Sequence, residues 1–225
     1  MNKKLTTGLL ALTLIAGGSW LFAPGQTGSG AQITLPGAAM AQEAGEEISI
    51  MEMTLGAEDA PIEVIEYASY TCPHCARFHE DVFGKIKTDY IDTGKVRFTY
   101  REVYFDKYGM WASLIARCGD DAQRFFGMTG MIYKTQSTWA RAGSDGAIAD
   151  ELRKLALLAG LENDTLDACL SDGEKLRALV GWFQENALEH DITSTPSFVV
   201  NGTKIGNLNY ADFSALLDSE LAKAQ

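Results

Sequence analysis

Cysteine is scarce in this 225-residue chain, and its four copies are unevenly placed. Cys72 and Cys75 form a single CxxC, while Cys118 and Cys169 stand far apart. Without a second CxxC the usual four-ligand zinc arrangement has no partner half. No internal repeat recurs, which excludes a stacked-repeat architecture. No glycine-rich phosphate loop precedes a helix, which removes the common nucleotide cradle. Positive charge is also short: 19 Lys and Arg face 30 Asp and Glu, a net of −11. That balance argues against nucleic acid or an anionic membrane surface as the main partner and fits a simple solubility role. With 46% apolar residues, the chain has enough for one good-sized core.

Acid is missing altogether from residues 1–41, where Lys3 and Lys4 are the only charges. A chain starting at Gln42 would carry 17 basic and 30 acidic residues, a net of −13. Lys3-Lys4 followed by uncharged Leu5–Ala23 reads as a targeting segment, and Ala39-Met40-Ala41 has the small-x-small form of a cleavage site. The apolar run stops well before that site. Either cleavage falls nearer the run, or Leu5–Ala23 stays as an anchor barely long enough to span. A removed signal is the preferred expectation, with residues 42–60 as a flexible lead-in. Both versions place the domain outside the cytoplasm, in a periplasm-like compartment where disulfides persist.

What is present is organised around Cys72-Pro73-His74-Cys75. Ile62–Tyr67 reads as a buried strand. After Ala68–Thr71 the CxxC opens a helix whose stripe is Phe78, Val82, Ile86 and Tyr90. Pro73 suits a first-turn position, where its missing N–H has no helical partner. Cys72 therefore sits at a helix N-terminus, where free N–H groups favour a thiolate. Each unit by which its pKa falls is worth about 1.4 kcal/mol for the ionised form. A stabilised thiolate also makes the disulfide form the stronger oxidant. His74 is expected to act in the same direction by a hydrogen bond or positive charge beside Cys72. Glu66, near the end of an apolar strand, is either partly buried and able to relay protons to Cys75, or an ordinary edge-strand carboxylate. A purely structural Cys72–Cys75 bridge is disfavoured, because two intervening residues at a helix start is the redox spacing.

Two stretches carry a family resemblance. Val64-Ile65-Glu66-Tyr67-Ala68-Ser69-Tyr70-Thr71-Cys72-Pro73-His74-Cys75 resembles the active-site strand and helix of the DsbA-like thiol:disulfide oxidoreductases. Far downstream, Thr193-Ser194-Thr195-Pro196-Ser197-Phe198-Val199-Val200-Asn201-Gly202 resembles that family's cis-proline loop and the strand after it. The likeness runs from about Glu58 to Leu221. It implies a cis Pro196, a substrate peptide held by backbone atoms at Thr195, no metal or organic cofactor, and a quinone-coupled membrane oxidase as reoxidant. It also implies the fold class: α/β, a thioredoxin fold with a central mixed β-sheet flanked by helices and a helical insertion domain.

The remaining pattern agrees. Val96–Tyr100 alternates as a strand. About 85 residues of helical pattern follow: Trp111–Cys118, Ala122–Lys134, Ala147–Leu158, Thr165–Leu170 and Glu174–Ala187, with Asp145 and Asp172 as N-caps and Gly160 as a C-cap. Phe198–Val200 and Lys204–Ile205 flank Asn201-Gly202, a strong hairpin signal. Tyr210–Leu221 closes the chain as an amphipathic helix. The expected divisions are 61–104 and 191–225 for the two halves of the thioredoxin fold and 105–190 for the insert. Cys118 and Cys169, both in the insert, pair in an oxidising compartment or remain two buried thiols. A bridge there would contribute roughly 2–4 kcal/mol. His79 reads as a surface or packing residue, and His190 as a helix C-terminal residue meeting the macrodipole. Trp111, Trp139 and Trp182 are assigned to the packing of the insert.

The function expected is donation of the Cys72–Cys75 disulfide to reduced or misoxidised exported proteins by a monomer. A substrate thiolate attacks Cys72, Cys75 leaves with a proton routed by Glu66, and a second substrate cysteine resolves the mixed disulfide. An isomerase or reductase with the same chemistry, a copper-handling protein using Cys72, Cys75 and a histidine, and a non-catalytic chaperone domain are the alternatives.

Overall fold

The structure, a computed structural model, describes residues 48–224. The basic and apolar segments expected to target the chain, the Ala39-Met40-Ala41 site and the first part of the lead-in lie outside the described residues. Among the described residues, no helix is long and apolar enough to cross a membrane.

Five strands form one sheet: β1 (Met53–Leu55), β2 (Ile62–Ala68), β3 (Val96–Glu102), β4 (Ser197–Val200) and β5 (Thr203–Ile205). Their order is β1-β3-β2-β4-β5. β2 and β3 run parallel, joined by a helical crossover, and the other pairings are antiparallel. β2 is central and apolar on both faces, as a strand covered on both sides should be. Its alternation puts Ile62, Val64 and Glu66 on one face and Ile65 and Tyr67 on the other. The first face packs with Phe98, Phe198 and Val200 against the crossover helix and the C-terminal helix. The second meets Val103, Val199, Phe183 and Ile192. Asn201 and Gly202 both have positive φ, 46° and 78°, which the tight β4–β5 turn requires.

The crossover is not one uniform helix. α1 (Pro73–Phe78) and α2 (Gly84–Ile86) alternate with π-helical turns at His79–Phe83 and Lys87–Ile91. Phe78, Val82, Ile86 and Tyr90 are all buried. Their spacing of four would rotate steadily off one face of a helix with 3.6 residues per turn. The two wider π turns absorb that drift and hold the stripe on the sheet.

The insert comprises α3 (Lys107–Ala116), α4 (Ala122–Lys134), α5 (Gln136–Trp139), α6 (Asp145–Leu158), α7 (Asn163–Ser171) and α8 (Gly173–Glu189); α9 (Tyr210–Lys223) ends the fold. Trp139, Ile132, Leu152, Ala156 and Leu166 pack its core, which continues into Tyr70, Cys75 and Tyr100. Insert and sheet are further joined by Arg117, whose Nε and Nη2 donate to Glu102 at 2.6 and 2.7 Å with both side chains 1% exposed. Arg117 Nη1 also donates to the Met51 carbonyl at 2.8 Å. Cys118 and Cys169 are bonded, with Cα atoms 5.7 Å apart across 51 residues of sequence.

Several expectations are corrected. The lead-in 42–60 is not flexible throughout: β1 lies within it, pairs with β3, and buries Met53 completely. Three residues are too few to show alternation, so the strand was invisible to patterning. Ser144, not Asp145, caps α6, accepting from the Ala147 N–H at 3.2 Å. Asp145 instead accepts from Lys107 and Tyr108. Asp172 does cap α8, accepting from the Lys175 N–H. Cys118 follows the end of α3 rather than lying on it. Trp182 stands beneath two guanidinium groups, with Arg101 and Arg117 at 5.6 and 5.3 Å from its ring centroid.

Candidate active site

Cys72 is the N-cap of α1, in extended conformation with φ −79° and ψ 120°, and Pro73 opens the helix behind it. The loop that delivers it is pinned from three directions. Its own N–H donates to the Ser69 carbonyl at 3.0 Å. Thr71 Oγ1 donates to Asp106 at 2.7 Å, and Asp106 also caps α3. Gln136 Nε2, from the insert, donates to the carbonyls of Tyr70 and Cys72 at 2.8 and 2.9 Å. Thr195 and Pro196 face the same sulfur: the Thr195–Pro196 bond is cis, and Cys72 Sγ donates to the Thr195 carbonyl at 3.4 Å.

The two thiols of the CxxC are unlike. Cys72 is partly exposed and Cys75 fully buried, and both are free. The Cys72 pKa is lowered to about 5. A hydrogen bond from Cys75 is the largest cause; burial opposes it, and the Thr195 side chain and the N–H groups of Cys75 and His74 add to it. The thiol and thiolate use different atoms of Thr195. The thiol donates to the carbonyl, whereas the thiolate can only accept. Thr195 Oγ1, a buried hydroxyl without a hydrogen-bond partner, is the donor available to the thiolate and adds to the lowering of its pKa. Cys75 goes the other way: burial raises its pKa far above that of a free thiol, followed by its bond to Cys72 and the nearby Glu66 charge.

Glu66 is fully buried. Strand alternation aims it under the active-site helix, where His79 Nε2 lies 3.1 and 2.9 Å from its two oxygens. The edge-strand alternative for Glu66 therefore fails. His79 is a packed residue as the second half of its expectation had it, with a side chain only 4% exposed. Its ion-pair geometry with Glu66 was not anticipated. The ring also stacks on Tyr133 with centroids 4.4 Å apart, and Tyr133 shares a 2.6 Å hydroxyl contact with Tyr100. His74, by contrast, is exposed, and its Nδ1 lies 2.7 Å from Arg77 Nη2. Its backbone N–H, rather than its ring, figures in lowering Cys72. His190 ends α8 as expected and meets the Tyr67 hydroxyl through Nδ1 at 2.6 Å.

Sequence reasoning thus assembled Cys72, Cys75, Glu66, Thr195 and Pro196 around one helix start, and passed over His79, Gln136 and Asp106. His79 had a readable signal, since it falls four residues after Cys75 and so on the same side of the helix. Gln136 had none. Among the described residues, no group of three His, Cys, Asp or Glu side chains could hold a metal ion. A low-pKa, accessible sulfur beside a buried, protonated one is suited to thiol–disulfide exchange, with Cys72 as attacked or leaving sulfur.

Comparison with known proteins places these features in a wider set. A family model described as thioredoxin matches residues 49–219. The chain is similar to a putative protein-disulfide oxidoreductase of Rickettsia bellii, 32% identical over 174 residues, covering 77% of this chain and 66% of that protein. The chain thus spans just under two thirds of that relative's length. It is also similar to disulfide bond formation protein D of Bacillus subtilis, 29% identical over 74% of this chain and 76% of that protein. Among solved structures it resembles alpha-DsbA1 of Wolbachia pipientis, with a TM-score of 0.71 and 28% identity over 79% of this chain and 94% of the other.

Proposed function

This chain belongs to the thioredoxin family, and from that premise we propose that it is a DsbA-like thiol:disulfide oxidoreductase that donates its Cys72–Cys75 disulfide to reduced exported proteins. One observation carries the reading: a partly exposed Cys72 caps the helix start and faces the cis Thr195–Pro196 bond while Cys75 is buried beside it, an arrangement that lowers Cys72 to about 5 and raises Cys75. A substrate thiolate attacks Cys72 Sγ. A bond forms between the two sulfurs, the Cys72–Cys75 bond breaks, and Cys75 leaves and takes a proton. A second substrate thiolate then attacks the sulfur of its own chain and expels Cys72 as a thiolate. The substrate loses two electrons and the enzyme pair gains them. Because Cys72 is stabilised as that leaving group, the exchange runs toward oxidised substrate.

Thr195 and Pro196 form the substrate-binding edge, the Thr195 carbonyl taking up a substrate N–H in place of the Cys72 thiol. Glu66 accepts and returns the Cys75 proton. Pro73 and His74 shape the helix start that favours the thiolate. Cys118–Cys169 acts as a structural bridge. The working site is the periplasm, the enzyme acts as a monomer, and a quinone-coupled membrane oxidase restores the disulfide; the family resemblance supports these three points. The test is the redox equilibrium of the pair against a glutathione series, joined to oxidative folding of a reduced protein. A pair more oxidising than glutathione that speeds disulfide formation is expected. A pair more reducing than glutathione would turn the reading to a reductase or isomerase.

A further inference from the structure

Cys75 lies in a fully buried position, so any proton it gains or loses needs a route. Glu66 is a poor terminus for that route, being fully buried itself. The structure continues beyond it. His79 holds both Glu66 oxygens through Nε2, and the same residue is part of the lining of a cavity of about 340 Å3 between the active-site helix and α4. Glu80, Lys134 and Gly130, all exposed, stand at the same cavity. A space of this volume with polar lining is ample for water. His79 also opens the first π turn, where the helix widens.

We propose that His79 is a relay residue that carries protons between Glu66 and solvent in this cavity, and so sets the rate at which Cys75 is protonated or deprotonated. The proposal rests on the oxidoreductase reading above and deepens it. A hydrogen bond between Nε2 and a carboxyl oxygen needs one proton, held on either partner. When Cys75 leaves Cys72, Glu66 passes that proton to the Cys75 sulfur, and the pair is left one proton short. His79 restores it from solvent. In the reverse direction, Cys75 gives up its proton to Glu66 as it attacks a mixed disulfide on Cys72, and His79 exports the surplus. No oxidant or reductant beyond the exchanging disulfide is needed. The groups facing the relay are Glu66 from β2, Cys75 from α1, Tyr100 from β3, Tyr133 and Lys134 from α4, and Glu80 from its own turn. Neither tyrosine competes for the proton near neutral pH, since burial raises both well above the ordinary phenol range.

Reduced enzyme is mixed with oxidised glutathione in a stopped-flow instrument. The bimolecular slope at low concentration reports attack by Cys72, and the plateau at high concentration reports resolution by Cys75. His79→Gln keeps a hydrogen-bond donor but does not titrate. Its plateau is expected to fall roughly tenfold or more and to change its pH profile, while the slope and the alkylation profile of Cys72 stay as in the wild type. Gly130→Leu is the second variant, for the case in which His79→Gln does not fold. Gly130 lines the cavity and an added Cβ there meets no atom within 4 Å, so a larger side chain has room to start at the cavity wall and is expected to take up space that water would fill. It too is expected to lower the plateau. A folded His79→Gln protein with a wild-type plateau and pH profile overturns the proposal, as does a folded Gly130→Leu protein with an unchanged plateau. Equal losses in slope and plateau would mean that His79 merely braces the site. Failure of the parent reading looks different: Cys72→Ser would then transfer disulfides as well as the wild type.

Discussion

The molecule holds two pairs of cysteines in one fold, and they behave as different chemical groups. Cys72 and Cys75 are separated by two residues at a helix start, with one sulfur accessible and the other buried. Cys118 and Cys169 are 51 positions apart in the sequence and tie the end of α3 to α7 inside the insert. The first pair is surrounded by hydrogen-bond donors that favour a thiolate on one side only: N–H groups of the helix, the Thr195 hydroxyl and the Cys75 thiol. In the second, Cys118 is 2% exposed and Cys169 is partly buried against the same apolar cluster. A disulfide is reactive when a reachable sulfur also leaves well; without donors that favour its thiolate it is a brace.

Removing the reactive sulfur breaks the comparison most sharply. Cys72→Ser is expected to abolish disulfide transfer, while the double variant Cys118→Ala/Cys169→Ala retains it, as measured by oxidative folding of a reduced protein. The next largest effect falls between the pairs. Arg117 adjoins Cys118 in sequence and anchors the insert to Glu102 of β3, so Arg117→Ala leaves a buried carboxylate without its partner. A loss of about 3–5 kcal/mol in denaturant unfolding is expected, without a change in the pH profile of Cys72 alkylation. The double cysteine variant is expected to lose somewhat less, roughly 2–4 kcal/mol by the same measurement.

The last effect, read as a trend with pH rather than as a single loss, is a pH dependence that only the first pair should show. In the folded protein the Cys72 pKa is lowered from the ordinary thiol range to about 5. A lowered acid pKa contributes stability that is fully present above the unfolded value and is lost as pH falls through the folded one. The reduced protein should therefore gain stability over the oxidised protein between pH 5 and 9, and the gain should vanish below pH 5. Thermal unfolding of both forms across that range checks it.

Much of the site was legible because its signals are local. A proline inside a CxxC marks a helix start, period-two alternation puts Glu66 on the helix-facing side of β2, and Asn201-Gly202 marks the last hairpin. What escaped depends on contacts across long stretches of chain or on departures from regular geometry. Gln136 reaches back 66 and 64 residues to the Tyr70 and Cys72 carbonyls. Nothing in its own neighbourhood distinguishes it from a solvated glutamine. The sequence marks His79 only as a surface or packing residue, and a uniform helix does not suggest the π turn that begins there. β1 is a three-residue edge strand fixed by its pairing with β3 rather than by any pattern of its own.

The asymmetry within the CxxC is tested most directly by the pH dependence of alkylation in the reduced protein, with each cysteine followed separately by peptide mass. Alkylation of Cys72 should rise with a midpoint of about 5, while Cys75 stays unmodified through neutral pH. A Cys72 midpoint near that of a free thiol, about 8.5, or equal labelling of both sulfurs, would contradict the claim that this helix start holds one thiolate and one thiol.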